Sequence, residues 1–80
     1  MIVKVLGSGC ASCQKLEGLA KKAVEELGID AEIVKVTEIA DIMGYGVMST
    51  PALVIDEELK VAGRVPSYDD VVTILKRSAG

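Results

Sequence analysis

Gly7-Ser8-Gly9-Cys10-Ala11-Ser12-Cys13-Gln14 joins two segments of different periodicity and carries both cysteines of the chain. Upstream, Ile2-Val3-Lys4-Val5-Leu6 is short, β-branched and apolar except for Lys4, the profile of a buried strand. Downstream, Leu16, Leu19, Ala20, Ala23, Val24 and Leu27 recur on one face of a helical pattern that Gly28 ends. Glu17 and Lys21 form an i,i+4 pair on that helix, and Gly18 lies off the apolar stripe. The cysteines therefore sit where a strand turns into a helix.

That placement has chemical consequences. Two intervening residues let the sulfurs meet when the backbone enters a helix. Cys10 then stands at the helix N-terminus, where unpaired N–H groups and the helix dipole favour a thiolate. The thiolate is the attacking species in disulfide exchange, so a lowered pKa makes Cys10 the expected nucleophile. Cys13, one turn further in, is expected to be more shielded and to resolve the mixed disulfide. Gly7 and Gly9 keep bulk away from Cys10 and also suit a tight turn.

Further along, Ala31 to Val36 reads as a second strand, parallel to the first because a helix intervenes. Thr37 is the expected cap of a short helix reaching Ile42 or Met43, ended by Gly44-Tyr45-Gly46. Thr50-Pro51 opens a third strand, Ala52 to Ile55, and Asp56-Glu57-Glu58 turns into a fourth, Leu59 to Ala62. The turn lacks an Asn-Gly or Asp-Gly signature, which leaves its type open. After the Gly63 to Pro66 loop, Ser67 and Asp70 resemble a capping box. Tyr68, Val71, Val72 and Leu75 then share one face of a last helix. The order β-α-β-α-β-β-α predicts one α/β domain over residues 1–80, a four-stranded mixed sheet with helices on both faces.

Composition narrows the function classes. The chain has 80 residues, half of them apolar, with no Trp or Phe and two Tyr, so aliphatic residues must build the core. Met43 and Met48 are expected to fill gaps in it. Nine basic and twelve acidic residues give a net charge of −3, and the basic pairs Lys21-Lys22 and Lys76-Arg77 fall on helical patterns. That is no footprint for nucleic acid. No basic leader or membrane-length apolar run occurs, so a cytoplasmic location is expected. In that compartment a cysteine pair serves chemistry more readily than stapling.

Metal is the rival use of the pair. Structural zinc wants four ligands, whereas this sequence offers two thiols, no His and no carboxylates at recognisable ligand spacing. A soft copper ion held by two thiolates stays open, as does one ion shared across two pairs in a dimer. A partner-binding adaptor without redox turnover is the remaining alternative. Copper-chaperone domains run β-α-β-β-α-β with a Met just before the first Cys. Here Ser8-Gly9 precedes Cys10, and a helical pattern separates the second and third strands.

The C-x-x-C opening a helix, with Thr50-Pro51 ahead of the third strand, resembles the thioredoxin superfamily. More narrowly, Gly7-x-Gly9-Cys10-Ala11-x-Cys13-Gln14 and Gly63-Arg64-Val65 resemble small thioredoxin- or glutaredoxin-like redox-active disulfide proteins of archaea and anaerobic bacteria. The resemblance spans essentially the whole chain. It implies a protein disulfide oxidoreductase and electron carrier with no cofactor of its own. Its partners would be a disulfide-containing protein and a separate flavin- or ferredoxin-linked reductase. It also implies a cis Pro51 beside the cysteines, with Thr50 and Gly9 at the substrate-binding surface. Two departures stand out. The positions around the pair are Gly9, Ala11 and Ser12 rather than aromatic and Pro residues. Lys4 occupies the place where many thioredoxins bury an acid. Lys4 and Tyr45 are therefore candidate modulators, Lys4 by favouring thiolates if its amine turns to the sulfurs, Tyr45 by covering the site. Lys15 and Arg64 are the basic residues nearest to what glutathione binding would need.

Overall fold

Apolar strand residues that alternate between two faces need a cover on each side, and this chain provides unequal ones. The structure is a computed structural model describing residues 1–7, 9, 11–47 and 49–79. Its elements are β1 (Ile2–Leu6), α1 (Ala11–Leu27), β2 (Glu32–Val36), α2 (Ile39–Gly44), β3 (Ala52–Ile55), β4 (Glu58–Ala62) and α3 (Tyr68–Ala79). The sheet order is β2-β1-β3-β4, with β1 parallel to β2 and antiparallel to β3, and β3 antiparallel to β4. This is the four-stranded mixed sheet with helices on both faces that the sequence predicts.

Alternation along β1 sorts the core. Val3 and Val5 pack with Leu16, Ala20 and Ala23 of α1, Leu53 and Ile55 of β3, Val61, and Val71 and Leu75 of α3. Leu6 turns to the other face and joins Ala52, Val54, Val47 and Ile42 of the six-residue α2. Two long helices thus cover one face and a short one covers the other. Burying a Leu- or Val-sized side chain contributes roughly 1.5–3 kcal/mol, so the larger cluster holds most of the packing energy.

Several details differ from the sequence reading. Strand β2 begins at Glu32 rather than Ala31, β4 at Glu58 rather than Leu59, and α2 runs on to Gly44. Glu38, not Thr37, is the N-cap of α2, and it makes no side-chain capping hydrogen bond. Met43, expected in the core, is 67 % exposed, because α2 is too short to bury more than Ile42. The expectation for Met48 falls outside the described residues. By contrast Ser67 does cap α3, its Oγ accepting the Asp70 N–H at 3.2 Å.

The β3–β4 hairpin turns through Asp56 and Glu57, with φ of 48° and 68°. Two left-handed central residues are what a type I′ turn requires, normally met by Asn-Gly. Here long-range contacts hold it. Asp56 Oδ1 accepts the Ile2 N–H at 2.8 Å, and Glu57 accepts from Lys4 and Tyr45.

Candidate active site

The sheet positions the site through the C-terminal end of β1. The ladder with β2 continues one residue past the strand, the Gly7 N–H donating to Val36 O at 2.9 Å. Gly9, with φ +83°, makes the bend that no L side chain enters easily. Its carbonyl accepts a hydrogen bond at 3.2 Å from Gln14 Nε2, which ties the bend to the first turns of α1. Cys10, the expected nucleophile, lies outside the described residues. Cys13 is described, disulfide-bonded and 5 % exposed, the shielded position expected of it.

Gly7 is required by Cys13 rather than by a turn. A β-carbon at position 7 would collide with Cys13 Sγ and stand 2.9 Å from Cys13 Cβ. The same hypothetical carbon would be 3.8 Å from Thr50 Cβ, so Thr50 belongs to the same neighbourhood. The Thr50–Pro51 peptide bond is cis, with Pro51 buried and Thr50 exposed. Across the hairpin, the Gly63 N–H donates to Pro51 O at 2.9 Å, and Gly63 lies close against Ser49. Three separate stretches therefore meet at this end of the sheet: the β1–α1 turn, the Thr50-Pro51 segment and the start of the β4–α3 loop. Lys15 and Arg64 are exposed.

The candidate modulators sit elsewhere. Lys4 shares its sheet face with Leu6 and α2, and its Nζ donates to Tyr45 Oη and to Glu57 Oε1, each at 2.5 Å. Glu57 belongs to the hairpin turn, at the opposite end of the sheet from Gly7. Hydrogen bonding to Glu57 first, then to Tyr45, holds the Lys4 ammonium above its ordinary pKa. The same contacts hold the Glu57 carboxyl below its own. The amine turns neither to Cys13 nor to open solvent. Tyr45 packs its ring against the smaller core cluster and spends its hydroxyl on this clamp.

Beneath Cys13 lies a feature absent from the sequence reading. A cavity of about 60 Å³ is lined by Gly7, Gly9, Cys13, Glu17, Lys35 and Thr37, with Val5 and Gln14 completing it. Glu17 and Lys35 form an ion pair at 3.3 Å, closer than the 3.9 Å to Lys21. Lys35 is paired in register with Val5, so it faces α1. The signal was present in β2, where Ile33 and Lys35 share the α1 face opposite Val34 and Val36. Lys35 lies on the α1 side of an edge strand, where its exposed side chain reaches Glu17. Among the described residues, no group of three or more His, Cys, Asp or Glu is placed to hold a metal ion. No described helix is long and apolar enough to cross a membrane.

Comparison with known proteins agrees with this geometry. A thioredoxin-domain family model matches residues 1–76. A Methanothermobacter thermautotrophicus protein named thioredoxin is 47 % identical over 75 residues, covering 94 % of this chain and 97 % of that one. A thioredoxin of Methanocaldococcus jannaschii is 41 % identical over 76 residues, covering 95 % and 87 %. Among solved structures, thioredoxin 1 of Thermosipho africanus superposes with a TM-score of 0.67 at 20 % identity, covering 99 % of this chain and 94 % of that one. A malaria-parasite thioredoxin-2 gives 0.72 at 17 %, covering 95 % and 81 %. At these identities the two structures speak for the fold alone.

Proposed function

Since the chain belongs to the thioredoxin family, and is thereby a thiol–disulfide oxidoreductase acting on disulfide substrates with a reductase, we propose that Cys10 and Cys13 are its working dithiol. Cys10 attacks the substrate disulfide and becomes joined to one substrate sulfur, releasing the other. Cys13 then attacks Cys10, the intramolecular disulfide closes and the second substrate thiol leaves. Two electrons pass from the dithiol to the substrate, and the separate reductase returns them.

The observation that carries this reading is the seat of Cys13. It is a buried, disulfide-bonded sulfur pressed against Gly7 near the start of α1, shielded as a resolving thiol should be. Thr50 and Gly9, both exposed beside it, provide backbone for an extended substrate segment, strand against strand. The whole domain, residues 1–80, acts as one electron-carrying unit in the cytoplasm, with a flavin- or ferredoxin-linked reductase as its source.

Trapping tests the assignment. Cys13→Ser, mixed in reduced form with a disulfide-containing protein, should accumulate a covalent mixed disulfide visible by mass. Cys10→Ser should accumulate none. Equal trapping by both variants, or trapping only by Cys10→Ser, would contradict these roles.

A further inference from the structure

Strand β2 is outermost in the sheet, beside β1. The Glu32 N–H donates to Met1 O and the Gly7 N–H to Val36 O, each at 2.9 Å. Backbone groups alternate in direction along a strand, so Glu32, Val34 and Val36 spend theirs on β1. Ile33 and Lys35 therefore turn their N–H and C=O groups outward, with no described strand opposite them. Such a row is a template for a further strand. Lysine often guards an edge of this kind, but the Lys35 ammonium is drawn to Glu17 on the α1 side.

The α2 side of the same strand adds a seat. Val34 pairs in register with Lys4 and Val36 with Leu6, so both valines face α2, and both stay half-buried. With only six residues, α2 leaves a groove of about 620 Å³ beside this edge. Val34 and Val36 line it from the strand, Ala40, Asp41 and Tyr45 from α2 and the residue after it, and Glu38 from the helix start. Its two lysines are already engaged, Lys4 by Glu57 and Lys35 by Glu17. Glu38 and Asp41 are exposed and have no ion-pair partner among the described residues. The groove is thus apolar along the strand and negative at its helical wall.

We propose that the β2 edge and this groove form a docking site for an extended segment of a partner protein that carries Lys or Arg at alternate positions. The segment's backbone pairs with Ile33 and Lys35 as a fifth strand. Alternate side chains of an added strand fall on the α2 face. There the aliphatic stems of Lys or Arg cover Val34 and Val36, and the charged heads meet Glu38 and Asp41. An acidic segment is repelled, and a wholly apolar one strips water from two carboxylates without supplying a counter-charge. Lys35 and Thr37 line both this groove and the cavity at Cys13, so a partner docked here lies beside the disulfide. The inference rests on the fold and holds whether or not Cys10 and Cys13 are the working pair.

The probe is a blocked fluorescent peptide, Thr-Arg-Thr-Arg-Thr-Arg-Thr, titrated into the oxidised full-length protein and followed by anisotropy. It should bind more tightly than the block arrangement Arg-Arg-Arg-Thr-Thr-Thr-Thr, which keeps the charge and loses the alternation. N-methylating either the Thr or the Arg residues removes one row of donors, and the row that faces β2 should cost about tenfold more than the other. Glu38→Gln combined with Asp41→Asn should weaken binding about fivefold. Asp69→Asn with Asp70→Asn makes an equal charge change on α3, which packs on the other face of the sheet, and should leave binding unchanged. Absence of binding, equal affinity for the two arrangements, equal costs of the two methylations, or equal losses in the two double variants would each overturn the proposal. Dimerisation of the protein alone at the concentrations used, read by light scattering, would assign the edge to a second copy and overturn it as well.

Discussion

Lys4 and Lys35 lie on neighbouring parallel strands, face opposite sides of the sheet, and each meets a glutamate. Lys4 is hydrogen-bonded twice: Glu57 and Tyr45 both accept from it, and the cluster closes the hairpin turn onto β1. Lys35 stands 3.3 Å from the buried Glu17 Oε2 without an aligned hydrogen bond, beside a cavity that also reaches Cys13. The contrast separates two uses of charge in a small domain. The first pair fixes the hairpin turn through hydrogen bonds, while the second borders the cavity at the buried sulfur. The packing around them differs in the same sense. A β-carbon on Gly7 would run into Cys13 Sγ, whereas the Lys4 clamp borders exposed residues.

The contrast breaks most visibly at Gly7. Gly7→Ala should destabilise the oxidised protein by about 1–3 kcal/mol, because a disulfide-bonded Cys13 cannot yield to the new carbon. Denaturant unfolding measures this, and stability within about 0.5 kcal/mol of wild type would show that the sulfur is not wedged there. Gly18, on the same helix, has open space where a β-carbon would stand, nothing lying within 4 Å, and no left-handed φ. Gly18→Ala should therefore stabilise by about 0.4–1 kcal/mol and leave disulfide exchange rates unchanged. A loss of stability there would extend the tight packing from the site to the outer face of α1.

The smallest effect concerns the Lys4 clamp. The folded Glu57 carboxyl titrates below its ordinary value of 4.5, so its contribution is present above that pH and fades as pH falls through the folded value. The raised Lys4 ammonium contributes below its ordinary 10.5 and fades only as pH climbs through its higher folded value. Between those limits the clamp is intact. Glu57→Gln should thus lower the thermal midpoint slightly at pH 7, with the two midpoints converging on acidification below 4.5. Curves that stay parallel throughout the acid range would mean that the charge pair contributes nothing. The effect stays small because Glu57 is 66 % exposed and solvent screens the pair.

The frame was legible because its signals are local. Ile2 to Leu6, the α1 stripe and Ala52 to Ile55 each carry a periodicity that tertiary contacts reinforce. The cysteine spacing and Thr50-Pro51 likewise pointed to two stretches that the fold brings to one end of the sheet. What escaped was whatever depends on partners distant in sequence. Asp56-Glu57 makes its turn because Ile2, Lys4 and Tyr45 hold its side chains, not because its residues favour a left-handed backbone. Thr37 has the chemistry of a cap, but the chain enters α2 one residue later, at Glu38. Glu17 looked complete with Lys21, and only the β1–β2 register reveals Lys35 as its nearer cation.

The central claim is that one dithiol within one chain does the work. Equilibrating the metal-free protein across a series of thiol/disulfide buffers, then counting free thiols by mass after alkylation, tests it most directly. The predicted result is a single two-electron transition in which both thiols disappear together within a monomer. Thiols that persist across the whole series, or that vanish only into intermolecular dimers, would contradict it.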